Sequence, residues 1–166
     1  MTTFQETFNN LIASLSDKNE ELSPEALSQL AEALSDIAPV QLKPLLEAWE
    51  NIPLPRRYSL LVHLQSELDK ELLYNYEAFA RTLLHDEDDI IRTFSLRLLK
   101  DYEGEDLLPT YIDMAMNDIH IDARSEAISL LGIYIYYGEL EEISEENLKK
   151  IEETILQIAL SAEKTK

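Results

Sequence analysis

The amino-acid sequence predicts an all-α fold, a short α-solenoid of stacked antiparallel helix pairs, with about nine helices in a single domain over residues 1–166. Three observations lead there. Apolar residues recur at helical spacing in segment after segment, and no strand pattern competes. The chain has 3 glycines and no cysteine, which argues against a turn-rich β fold and against a disulfide framework. A pattern also recurs: Asp86 lies six residues before Arg92 and Leu99 seven after it, and Asp118, Arg124 and Leu131 repeat this at an offset of 32 residues (124 − 92). A fixed period of this size marks stacked supersecondary units, none of which buries its apolar face alone.

In order, Phe4, Phe8, Leu11, Ile12 and Leu15 form one stripe of a first amphipathic helix, interrupted at Ser16-Asp17-Lys18-Asn19. Ser23-Pro24-Glu25 starts the second, with a hydroxyl N-cap, proline at the first helical position and an acid in the first turn. It carries Leu27, Leu30, Leu34 and Ile37, and Pro39 ends it. A third helix runs from Gln41 to Glu50, with Pro44 in its first turn, where a missing N–H costs nothing. Ile52-Pro53-Leu54-Pro55 makes a turn into a helix from Arg56 to Leu68. Helices follow over Glu71–Leu84 and about Asp88–Tyr102. Gly104 breaks the chain before Glu105–Met116 and Asp122–Tyr137, and Gly138 stops the latter. Beyond an acidic linker, Ser144 caps a last helix over about Glu145–Ala162, whose polar line Glu146, Lys149, Glu153 and Gln157 suits an outer face.

The same ruler finds a third copy upstream, in Asn51, Arg57 and Leu64, at an offset of 35 residues (92 − 57). Over roughly residues 40–137 the pattern resembles HEAT repeats, most closely in the stretch ARSEAISLLG. The first copy departs from it, with Asn51 for the acid, Leu60 for a small residue, and prolines at 53 and 55. The resemblance implies a right-handed array in which a tight turn's acid meets the arginine of the following helix, and in which the second helices line a concave side. Residues 1–38 then form an N-terminal cap pair, 40–138 three repeats and 144–162 a C-terminal cap helix. In each second helix the positions three, four and seven after the arginine face the core: Leu60, Leu61 and Leu64; Ser95, Leu96 and Leu99; Ala127, Ile128 and Leu131.

Positions two, five and nine after the arginine point the other way. They make Val62, Phe94 and Ile133 exposed apolar residues, flanked by Arg97 and Glu126. Tyr134, Tyr136 and Tyr137 close the last repeat; either one or two of them plug the seam beneath the final helix, or Tyr136 and Tyr137 anchor a partner. Val62, Phe94, Arg97, Glu126, Ile133, Tyr136 and Tyr137 are the candidate partner-binding set, and a mixed apolar and charged groove suits a protein or peptide.

Charge narrows the partner. With 14 basic and 33 acidic residues the net charge is −19, which repels phosphate backbones, so nucleic acid is not expected. The acidity serves solubility or a basic partner. No stretch has the roughly 18 apolar residues of a membrane span, and the first ten residues have no signal-peptide pattern, so a soluble cytoplasmic protein without membrane contact is expected.

No P-loop, GxGxxG, GxSxG or HExxH motif is present, and no cofactor is expected. His63, His85 and His120 form no i, i+4 pair, and the run Asp86-Glu87-Asp88-Asp89 lacks the glycine and terminal glutamate of a calcium loop. That run reads as a turn and a helix start. No carboxylate pair stands out as a catalytic acid and base. The function expected is a noncatalytic protein-interaction module or scaffold that binds on its concave face. The alternative is an enzyme or enzyme subunit on a HEAT-like scaffold.

Overall fold

Sequence signals for helix starts become helix caps in the computed structural model, which describes residues 3–18, 22–70 and 73–163. Thr3 and Glu6 form a reciprocal capping box at the start of α1 (Phe4–Ser16). Ser23 Oγ accepts the Ala26 N–H at the start of α2 (Pro24–Leu34), with Pro24 in its first turn. The chain continues through α3 (Lys43–Ala48), α4 (Leu54–Leu68), α5 (Glu77–Leu83), α6 (Asp89–Leu98), α7 (Leu108–Asn117), α8 (Ile121–Glu139) and α9 (Glu145–Glu163). Short 3-10 turns flank α3 on both sides and precede α7. The described residues thus hold nine α-helices and no strand. No helix among them is long and apolar enough to cross a membrane.

The chain divides into two compact units, residues 1–99 and 100–166. In the first, α1 packs on α2 and α3, while α2 packs on α4, α4 on α6 and α5 on α6. Phe8, Leu15, Leu30, Leu45, Leu60, Leu64, Phe79 and Leu96 are fully buried there. The crossing of α5 and α6 is close enough for the buried Ser95 hydroxyl to donate to the Ala80 carbonyl at 2.7 Å. Leu60, the larger counterpart of Ser95, is equally buried. In the second unit α7, α8 and α9 pack on one another around Leu108, Tyr111, Ala127, Leu131, Tyr134 and Ile151. Ile128, expected in the core, is only half-buried.

Several expected boundaries move. The second helix ends at Leu34 rather than at Pro39, because Asp36 turns left-handed (φ 51°) and its N–H leaves the helix for the Asn75 carbonyl at 2.8 Å. Ile37 is still buried, but from outside the helix. The same contact delays α5. The Asn75 N–H donates to Ser35 Oγ, and its side-chain oxygen accepts the Glu77 N–H, so the helix starts at Glu77 rather than at Glu71. Glu71 and Leu72 lie outside the described residues, as does Asn19. Helix α6 stops at Leu98, short of Tyr102.

Gly138 does not stop α8. The helix runs through it to Glu139, and the left-handed residue is Glu141 (φ 59°). There the Glu142 N–H donates to the Tyr137 carbonyl at 2.9 Å and the Glu141 N–H to that of Gly138 at 3.1 Å, the two bonds of a Schellman ending. Gly138 serves contact instead, since a Cβ there would lie 2.5 Å from Leu148 Cδ1 on α9.

Candidate protein-interaction surface

The two best copies of the repeat build their turns alike. Asp86 Oδ1 accepts the Asp88 N–H at 3.0 Å, and Asp118 Oδ1 accepts the His120 N–H at 2.9 Å. Six residues on, the arginine reaches back to the turn's backbone. Arg92 donates to the carbonyls of Asp86 (2.8 Å) and Glu87 (3.0 Å), and Arg124 to those of Asp118 (2.6 Å) and Ile119 (3.2 Å). In the first copy Arg57 Nε donates to the Ile52 carbonyl at 3.1 Å. The spacing is therefore one of arginine to main chain. A charged donor satisfies turn carbonyls that would otherwise depend on water, and fixes how the chain enters the helix. The Asp86 carboxylate instead receives the Trp49 indole N–H at 2.9 Å, while the Arg57 guanidinium lies over the Trp49 ring at 5.6 Å. With Glu50, His85 and Glu87 these residues line a polar hollow.

The helix cap is the residue after next. Asp88 Oδ1 accepts the Ile91 N–H at the start of α6, and its other oxygen accepts the Tyr58 hydroxyl at 2.7 Å, tying α4 to α6. Burial and that carboxylate raise the Tyr58 pKa to about 12. At the equivalent place before α8 stands His120, whose side chain makes no cap bond.

Within residues 1–99 these turns aim one face of α4 and α6 outward. Val62 is 54% exposed, as expected. Phe94 is half-buried rather than exposed, because Arg97, one turn on, lays its guanidinium over the ring at 5.4 Å. Ile90, missed in the sequence, is 42% exposed and lies one turn before Phe94. The counting rule ran only forward from Arg92; applied two residues backward it finds Ile90.

Within residues 100–166 the remaining four candidates lie on α8. Glu126 and Ile133 are half-buried, so Ile133 is less open than expected. Tyr136 is exposed, and Tyr137 is half-buried with its ring edge-on to Tyr134 at 5.8 Å. Burial first, then the carboxylates of Glu103, Asp101 and Glu142, push the Tyr137 hydroxyl above its ordinary pKa. Tyr134 is buried against α7 and the segment before it: its ring lies 6.1 Å from that of Tyr111, and its hydroxyl 2.9 Å from the Tyr102 carbonyl and 2.8 Å from that of Gly104. Leu140, one turn beyond Tyr136, is also exposed and was missed, because the helix was expected to end at Gly138.

Comparison with protein-family models, with characterised proteins and with solved structures finds no match for this chain.

Proposed function

We propose that this chain is a noncatalytic, cytoplasmic protein-interaction module, built as a short right-handed α-solenoid of the HEAT-like kind, whose partner is a protein or peptide, favoured to be basic. The observation that carries the reading is on α6, where the exposed Ile90 lies one turn before the stacked Phe94–Arg97 pair, with Val62 exposed on α4, which packs against α6. Aromatic residues and arginine are enriched at the centres of protein interfaces. Two features support the array: α2, α4 and α6 pack in sequence, and the arginine-held turn recurs with the same contacts. The net charge of −19 supports the basic partner.

A photo-crosslinking residue at position 62 in the full chain, followed by mass spectrometry of the adduct from native extract, identifies that partner. Titration then compares the parent with Val62→Ser and Arg97→Ala. We expect the dissociation constant to rise at least about fivefold in each, near 1 kcal/mol, with association slowing as salt is raised. Unchanged affinity in both variants would remove this face from the function, and a salt-independent on-rate would remove the basic partner.

A further inference from the structure

At about 100° per residue, Asp122, Glu126, Ser129, Ile133 and Tyr136 fall within an arc of about 80° on α8, and Leu140, the C-cap residue just past its end, continues the same line. The opposite side carries the buried Ala123, Ala127, Leu131 and Tyr134, and Gly138 against Leu148 of α9. The packing of α7 and α9 therefore leaves one strip of α8 uncovered within residues 100–166. Over its last two turns that strip is apolar, with Tyr136 56% and Leu140 49% exposed and Ile133 half-buried beside them. Acids stand at both ends. Asp122 begins the strip, while Glu139, Glu141 and Glu142 follow it, with Asp101 and Glu103 close enough to Tyr137 to act on its hydroxyl. The basic residue of α8, Arg124, lies off the strip and is held by the turn carbonyls.

We propose that this strip docks a basic amphipathic helix of a partner protein, apolar along one face and carrying lysine or arginine at both ends of that face. The proposal rests on the reading of the chain as an interaction module. Anchors at positions 133, 136 and 140 match the i, i+3, i+7 spacing by which one helix face meets another. The charge pattern selects among occupants. A second copy of this chain would bring acids against acids, and an anionic lipid surface would be repelled by the same carboxylates. A basic helix neutralises both ends of the strip as its apolar face covers the middle.

The test uses the full chain and two synthetic 18-residue peptides. Both place leucine at i, i+3, i+4 and i+7; one fills the other positions with lysine, the other with glutamate. Calorimetric titration should show binding of the lysine peptide alone, weakening at least tenfold when salt is raised from about 50 to about 300 mM. The double variant Tyr136→Ser, Leu140→Ser should lose at least tenfold in affinity, and so should Glu139→Lys, Glu142→Lys, which leaves the apolar residues in place. The pair Leu156→Ser, Leu160→Ser, on exposed residues of α9, should bind like the parent. Equal binding by the parent and the Tyr136/Leu140 variant overturns the proposal, as does equal binding of the glutamate peptide. Self-association of the parent that Leu140→Ser abolishes overturns it in favour of a second copy. If peptide binding ignores α8 while the partner crosslinked at position 62 still depends on Arg97, this inference fails and the module reading stands; if neither dependence is seen, both fail.

Discussion

Glu141 occupies a position that a side chain rarely accepts. Its φ of 59° is the left-handed conformation of a Schellman ending, where glycine is the residue without steric cost. The nearby glycine is three residues earlier, used for the approach of α9 to α8. The sequence is misleading here because Gly138 near the end of an apolar run has two physical explanations, a helix stop and a close contact. Only the packing of Leu148 decides between them. Since left-handed backbone costs a residue with a Cβ about 1–2 kcal/mol, Glu141→Gly should stabilise the chain by roughly 1 kcal/mol, less the entropy that glycine adds to the unfolded state. Urea denaturation checks this, and a variant less stable than the parent would show that the Glu141 side chain makes a contact worth more than the strain. The two turns offer a second comparison at single residues. Asp88 caps α6 and His120 leaves α8 uncapped, although His120 has the extended backbone of an N-cap (φ −99°, ψ 134°). His120→Asp should therefore add about 0.5–1 kcal/mol, and Asp88→Ala should cost about 1–2 kcal/mol. Equal stability of His120→Asp and the parent in the same titration would mean that repulsion from Asp118 and Asp122 cancels the cap.

Helices were legible wherever apolar spacing and a cap signal agreed, as at Ser23-Pro24 and at Ser144. They were misjudged where a side chain drew the backbone away. Asn75 and Asp36 shorten two helices through contacts made across 39 residues of sequence, a distance over which no local pattern reports. The last helix shows another such long-range device. The Glu105 carboxylate accepts from the Ser144 N–H and hydroxyl and from the Asn147 side chain, so a residue before α7 secures the start of α9. Hydrogen bonds from Asn147 and Ser144 lower the Glu105 pKa from 4.5 against a small opposing effect of burial. The folded-state pKa is depressed, so the linkage contributes stability above the unfolded value and loses it as pH falls through the folded one. Glu105→Gln should thus melt below the parent at pH 7, and the gap should narrow as pH falls below the ordinary carboxylate range and close once Glu105 is protonated in the folded state. Solvent reaches this site, so the gap is held to about 1 kcal/mol or less. A gap independent of pH would assign the cost to lost shape rather than to lost charge.

At the scale of the whole molecule, periodicity and composition made the all-helical class readable, and the recurring arginine located two turns of one design. The 32-residue spacing from Arg92 to Arg124 runs across the boundary of the two compact units at residues 99 and 100. The net charge, by contrast, is a property of the entire chain and acts on all of it. Ion pairs such as Lys43–Glu47, Arg81–Glu77 and Lys150–Glu146 lie one turn apart on helix surfaces, where solvent screening keeps each of them weak. They leave an excess of 19 acids whose mutual repulsion opposes the compact state. Screening should then help more than it harms. Raising sodium chloride from about 20 mM to about 0.3 M shortens the range of that repulsion to less than 10 Å. We expect the melting temperature to rise by about 2–4 °C, the equivalent of roughly 1 kcal/mol for a chain of this size. Most of the rise should come below about 0.1 M, where the screening length falls fastest. A melting temperature that falls with salt would mean that attractive pairs outweigh the excess, and the acids would then be arranged for the fold rather than for a partner.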